Sequence, residues 1–217
     1  MVRRTKEEAQ ATRRQIMDAA LCLFSQHGVS RTSLVDIARQ SDVTRGAIYW
    51  HFCNKEELFS ALWQEFCGPM MQLIVASSEA SEPDPLGKLR LLLIEMLTLV
   101  AENPRHQQMF RILHSLLLRD VEDTELRNML SLELRFYLER LHDALRHAID
   151  KQQLPARLDT RRAAVFLQCT LDGFILNWLS RHEDLRLPEQ AVELVDGLLL
   201  ALQHGACWRP SIADGSD

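Results

Sequence analysis

The chain has 217 residues, a formal net charge of -5, 47% hydrophobic and 6% aromatic residues, with eight glycines and seven prolines. That composition favours an all-helical soluble chain, either one large domain or a small one joined to a larger one. Five cysteines, at 22, 53, 67, 169 and 207, are odd in number and lack CxxC spacing, which argues against a disulfide framework and a zinc site and for a reducing, cytoplasmic setting. No apolar run reads as long enough to span a bilayer, and the charged N-terminus carries no visible export signal.

The acidic balance alone would argue against nucleic acid, but its distribution does not. Residues 1–55 hold nine Lys or Arg (3, 4, 6, 13, 14, 31, 39, 45, 55) against five acids (7, 8, 18, 36, 42), a surplus of +4, so the remainder carries -9. A basic head on an acidic body suits a DNA reader with a separate second domain; the plainer alternative is a solvated N-terminal face. Arg3, Arg4 and Lys6 form an arm that suits a phosphate backbone or a minor groove, or else an idle tail. Thr5 and Glu8 make a capping box. Ile16, Ala19, Ala20, Leu23 and Phe24 then recur at amphipathic helical spacing up to Gly28, with Val29 placed for an apolar contact beyond the helix end.

A second helix is expected from Ser33 to Gln40, with Leu34, Ile37 and Ala38 inward and an S-x-x-D capping box from Ser33 to Asp36. Ser41-Asp42-Val43 ends it. The stretch from Thr44 to Phe52 follows at once, with Thr44 as N-cap, Ile48 and Phe52 on one side and Gly46 and Trp50 roughly opposite. Helix, tight turn and helix is the geometry of the helix-turn-helix, whose second helix enters the major groove. Arg45 can pair bidentately with guanine, and Gly46 lets the backbone come close to DNA. Tyr49, Trp50 and His51 bring polar edges for phosphates or thymine methyls.

Thr5 to Phe59, with V-T-R-G-A-I-Y-W-H-F followed by N-K-x-x-L-F, resembles the DNA-binding domain of the TetR family and its AcrR-like branch, typified by repressors of multidrug efflux operons. The resemblance implies a nine-helix, all-α architecture. A three-helix DNA-binding domain (residues 1–53) would be followed by a larger ligand-binding and dimerisation domain (54–207) and a frayed tail (208–217). One departure is Asp42, where the branch usually has glycine at a turn position expected to need positive φ; Asp tolerates that conformation better than most residues.

After the recognition helix, Asn54 caps a fourth helix with Glu57 at its third position and Lys55 at its first. A lysine at a positive helix end is electrostatically odd unless an anion is shared there, and the resemblance supplies a DNA phosphate. This helix runs through Leu58, Leu62, Trp63 and Phe66 to Cys67-Gly68-Pro69, which should bend or interrupt it. Asp84-Pro85 and Asn103-Pro104 each start a further helix with proline in its first turn. A long seventh helix is expected from about Thr124 to Gln152, closed by Leu154-Pro155. The eighth, Asp159 to Leu179, is apolar nearly all round, which requires burial on two sides. The ninth runs from Pro188 to Gln203. As in the family, the last two are expected to form a homodimer interface through Phe174, Leu176, Val192, Val195, Leu199 and Leu202.

Gln168 and Asp172 lie one turn apart among apolar neighbours. A buried carboxylate needs a partner, and His114 is one candidate. The pair reads equally as a structural hydrogen bond or as the polar anchor of a pocket for flat, lipophilic or aromatic ligands. Trp63, Cys67, Met96, Leu113 and Trp178 are placed around it by apolar face. Ligand residues transfer poorly by resemblance, because several members carry K-C-E-F where this chain has Leu116-Leu117-Leu118-Arg119. No phosphate loop, HExxH or G-x-S-x-G motif is present, so no enzyme, metal or cofactor is expected. The competing function is a thiol redox regulator triggered through Cys67 or Cys169, although neither has adjacent basic residues. The reading reached is a homodimeric, ligand-released repressor of double-stranded operator DNA with no membrane partner.

Overall fold

A computed structural model describes residues 6–118, 124–180 and 186–204 of the chain. Its elements among the described residues are ten helices: α1 (Lys6–His27), α2 (Leu34–Gln40), α3 (Arg45–His51), α4 (Lys55–Phe66), α5 (Gly68–Ser77), α6 (Pro85–Glu102), α7 (Pro104–Leu118), α8 (Thr124–Asp150), α9 (Thr160–Ser180) and α10 (Leu187–His204). The expected arm at Arg3 and Arg4, the Thr5 cap and the tail from Cys207 lie outside the described residues.

Ten helices stand where nine were expected. Cys67 closes α4, its N–H donating to the Trp63 carbonyl at 2.8 Å, and Gly68 opens α5. Proline 69 thereby falls in the first turn of a new helix, where its missing N–H costs nothing. Local signals elsewhere act as read. The Asp84 carboxylate caps α6 by accepting from Gly87 N–H at 2.9 Å, and Pro85 begins that helix.

The chain packs as two compact units. One comprises the residues up to Pro69 with Pro104–Ser131; the other comprises Met70–Asn103 and the chain from Leu132. In the first unit Ile16, Ala20, Phe24, Ile37, Ile48, Phe52, Leu58, Phe59 and Leu62 form a core that also takes Met109, Ile112 and Leu116 from α7 and Leu126 and Leu130 from α8. Packing therefore groups α4, α7 and the first turns of α8 with the three N-terminal helices, which are too small to bury a core of their own.

In the second unit, α10 packs chiefly on α6 and α9. Gln153 ties three elements together there. Its side chain accepts from Leu86 N–H at 3.1 Å and donates to Asp84 at 2.5 Å, while its carbonyl accepts from Gln203 at 3.4 Å. Arg90 of α6 forks onto Asp196 of α10, with the second N–H···O at 2.9 Å.

Contrary to the expectation that no apolar run is long enough to span a bilayer, one helix among the described residues passes that test. At 21 residues and a mean hydropathy of 1.2, α9 is long and apolar enough by length and composition to cross a membrane. One set of its apolar residues, however, serves a buried face: Ala163, Ala164, Leu167, Leu171, Ile175, Trp178 and Leu179 are all inside. Other apolar residues of α9 lie outside that face, with Val165 exposed and Phe174 and Leu176 half-buried, so the helix is covered fully on one side only.

Candidate nucleic-acid interface

The helix-turn-helix is built from caps. Ser33 accepts from Asp36 N–H at 3.2 Å and the Asp36 carboxylate accepts from Ser33 N–H at 3.2 Å, closing the capping box that starts α2. The Ser33 hydroxyl also donates to the Asp36 carboxylate at 2.6 Å, and this bond, followed by the one from Ser33 N–H, holds the Asp36 carboxyl below the usual carboxylate range, with Arg39 adding its charge. At the other end, Val43 N–H reaches back to the Ala38 carbonyl at 3.0 Å and Asp42 takes φ 52°. This is a Schellman ending with a left-handed residue, the conformation expected of Asp42 from its place in the turn. Val43 packs against the core below. Glycine serves the same purpose after α1, where Gly28 has φ 84° and donates to the Phe24 carbonyl at 2.9 Å.

Thr44 then caps α3 by accepting from Ala47 N–H at 3.1 Å. Ile48 is wholly buried and Phe52, at the helix end, is too; Thr44, Arg45, Gly46, Tyr49 and Trp50 are exposed, Trp50 at 73%. The guanidinium of Arg45 lies 5.7 Å from the centre of the Tyr49 ring, and His51 meets Trp50 edge-on at 4.6 Å. Burying a tryptophan of this size within the protein would be favourable by a few kcal/mol, so a face that leaves it out is available for something else. Gly46 adds to that impression. A Cβ there would meet only Thr44 Oγ1, at 4.0 Å, so the protein's own packing does not require glycine at this position.

Beyond α3, Asn54 accepts from Glu57 N–H at 2.8 Å, and the Glu57 carboxylate accepts in turn from Cys53 N–H at 2.7 Å. Lys55 is the first residue of α4 and half-buried. Thr44, Arg45, Gly46, Tyr49, Trp50, His51 and Lys55 are thus brought together on two consecutive short segments.

The residues expected at a ligand site divide between the two units. Trp63, Cys67 and Leu113 pack against the core of the first unit, where half-buried His114 also belongs. Met96, Gln168, Asp172 and Trp178 lie in the second. Gln168 hydrogen-bonds the Asp172 carboxylate, yet burial outweighs this and pushes the carboxyl up to about 6 from 3.8. The group that feels its charge is Tyr137 of α8, whose phenol is raised first by burial and then by Asp172. By spacing alone Tyr137 falls on one apolar stripe with Leu134, Leu138 and Leu141. The signal available was its lone hydroxyl among leucines. Of the residues expected at a dimer interface, Val195, Leu199 and Leu202 are buried inside the protomer, on the inward face of α10. Phe174 and Leu176 are half-buried, and Val192 is 46% exposed, as are Val165 at 48% and Leu200 at 55%. The free apolar faces of α9 and α10 therefore run through Val165, Val192 and Leu200.

Two family descriptions match the chain. "Bacterial regulatory proteins, tetR family" covers residues 16–62, and "MAATS-type transcriptional repressor, C-terminal region" covers residues 84–204. The chain is 40% identical to the HTH-type transcriptional regulator AcrR of Shigella flexneri, over 92% of this chain and 93% of that one. It is also 40% identical to the regulator TtgR of Pseudomonas putida, over 90% and 93%. Among solved structures it is similar to SmeT in a complex with triclosan, at a TM-score of 0.79 and 31% identity, covering 96% of this chain and 100% of that one. A second SmeT structure, at a TM-score of 0.73 and 31% identity over 94% and 96%, is described as the repressor of the Stenotrophomonas maltophilia multidrug efflux pump SmeDEF. With its helix-turn-helix, its all-helical body and relatives matched along nearly their full length, the chain belongs to the TetR family of bacterial transcriptional regulators.

Proposed function

We propose that the chain is a cytoplasmic, homodimeric repressor that reads a near-palindromic operator through residues 1–53 and releases it when a small lipophilic or aromatic ligand occupies the body, 54–207. The observation that carries the DNA reading is the outward face of α3, where Arg45, Tyr49 and Trp50 are exposed opposite a buried Ile48. Two such helices in a dimer would sit about 34–36 Å apart, one DNA turn. The exposed Val165, Val192 and Leu200 support pairing through α9 and α10. Similarity to SmeT, a repressor of a multidrug efflux pump seen with the lipophilic phenol triclosan, supports both the regulated function and the ligand class. Within the second unit, Gln168, Asp172 and Tyr137 would give the polar end of the site, with Trp178 and Met96 its apolar lining.

The thiol-sensing alternative is not supported. Of its two named triggers, Cys67 is half-buried against a core and Cys169 is exposed on α9 between Gln168 and Thr170, with no basic neighbour in sequence to favour a thiolate, and the similar proteins include the repressor of a multidrug efflux pump. A catalytic role would also set the chain apart from the regulators it is similar to.

The test is binding of purified protein to the intergenic DNA beside its own gene across a salt series, with and without lipophilic cations and phenols. Tight binding that resists competitor DNA and is released by one compound is expected. Weak binding erased by salt on every duplex would refute the reading. Lys55→Ala should weaken all DNA alike and reduce the salt slope by about one phosphate contact, and an unaltered slope would remove Lys55 from the interface. Gly46→Ala should act in opposite directions on folding and binding. Alanine in a helix is better than glycine by about 1 kcal/mol, and nothing in the protein obstructs the added methyl. Operator affinity should nevertheless fall, by roughly the 1 kcal/mol or more of a displaced base contact. Denaturant melts and operator titrations of the same variant would show whether the two signs diverge.

A further inference from the structure

The turn between α2 and α3 is held from outside itself. Gln15, on α1, donates its side-chain N–H to the Ser41 carbonyl at 2.8 Å, across 26 positions of sequence. Ser41 is 3% exposed, and its other polar groups are used within α2: its hydroxyl donates to the Ile37 carbonyl at 2.7 Å, as does its N–H at 2.9 Å. Its carbonyl belongs to the peptide that leads into Asp42, whose φ of 52° is a left-handed conformation. For a residue other than glycine that conformation costs on the order of 1 kcal/mol and lasts only where the surroundings fix it. The Schellman bond from Val43 to Ala38 is local to the helix end and moves with it. Burial of Ile16, Ile37 and Ile48 sets how far apart the helices lie, but apolar contact has no direction and leaves their relative tilt soft. A hydrogen bond to one carbonyl has direction.

We propose that Gln15 is a positioning residue for DNA recognition: by fixing the Ser41-Asp42 peptide from α1, it sets the angle at which α3 presents Arg45, Tyr49 and Trp50. It acts through the turn and not by touching DNA. The proposal rests on α3 being the helix that reads DNA.

The test compares full-length Gln15→Met with the unaltered protein. Methionine keeps the side-chain length and the helix propensity and removes the donor. The probes are a duplex selected by the unaltered protein from a random pool, and an unselected duplex of the same length, each across a salt series. Affinity for the selected duplex should fall about five- to tenfold. Affinity for the unselected duplex, the salt slope and the dimer should not change; the thermal midpoint should fall by no more than a few degrees, with quicker amide exchange confined to residues 41–43. Three results would overturn the proposal: full retention of selective binding, an equal loss on both duplexes with a shallower salt slope, or a lowered midpoint with faster exchange along all of α1. Arg45→Ala is run in parallel. If it keeps its selectivity, the reading of α3 fails and the proposal fails with it; if only Gln15→Met keeps it, the proposal alone fails.

Discussion

Arg45→Ala is expected to abolish selective operator binding while leaving the dimer, its thermal stability and its ligand response intact. The side chain is exposed at the first position of α3, makes no contribution to the core and lies over the Tyr49 ring, 5.7 Å from its centre. Stacking of this kind limits the rotamers of a flexible guanidinium, so less entropy is lost when it pairs with a base. A bidentate arginine–guanine pair is worth about 1–3 kcal/mol of discrimination, or roughly 5- to 150-fold against the wrong base. Electrophoretic or fluorescence titration with operator variants, beside sedimentation of the free protein, checks both halves. Dissociation into monomers would place Arg45 in the architecture and not at the DNA surface.

The second large effect lies in the body. Asp172→Asn should stabilise the protein at pH 7.5 and do so less and less as the solution is acidified. The Asp172 carboxyl is raised to about 6 from 3.8 by burial, which the Gln168 hydrogen bond only partly offsets. The folded state therefore holds the proton more tightly than the unfolded one. Stability from this group is fully present below about pH 4 and is lost as pH rises through 6. At 1.36 kcal/mol per pH unit the cost at neutral pH approaches about 3 kcal/mol, and residual solvent contact brings it to roughly 1–2. Asparagine keeps the shape without the charge. Urea melts of both proteins at pH 4.5 and 7.5 should show a gap that opens only at the higher pH; a constant gap would mean that the carboxyl is well solvated. A carboxyl kept buried at such cost with Gln168 as its hydrogen-bond partner suits a site where a ligand adds a further donor or a positive charge, so the same variant should respond less to such a ligand.

Local signals were the legible part of the fold. The Ser33, Thr44 and Asn54 caps and the prolines at helix starts are governed by interactions within a few residues and could be read from spacing, whereas the left-handed Asp42 followed from the glycine that the AcrR-like branch usually carries at that turn position. The outward face of α3 was legible for the same reason, because one helical turn separates Ile48 from Phe52. What sequence could not supply was the partner of each face. Leu202 and Leu200 differ by two positions on one helix, yet the first is inside the protomer and the second 55% exposed, on a helix packed against both α6 and α9. Tyr137 was hidden similarly: its proximity to Asp172 depends on how α8 meets α9, which no periodicity records. The split of the fourth helix was half legible, since Pro69 signalled a disturbance without saying whether it would bend the helix or begin another.

The discontinuous core of the first unit also bears on how the chain is made. Met109, Ile112, Leu116, Leu126 and Leu130 complete a core that Ile16 to Phe66 begin, with Met70–Asn103 intervening. As synthesis proceeds from the N-terminus, the apolar faces of α1 to α4 emerge well before the residues that cover them. A ribosome must add some forty residues beyond α4 before α7 can start to close that core, and more again before α8 does. Over that interval the nascent chain offers Met17, Phe24, Phe59 and Leu62 without their full complement of neighbours, which makes the early part of translation its period of greatest exposure to aggregation and to chaperone capture.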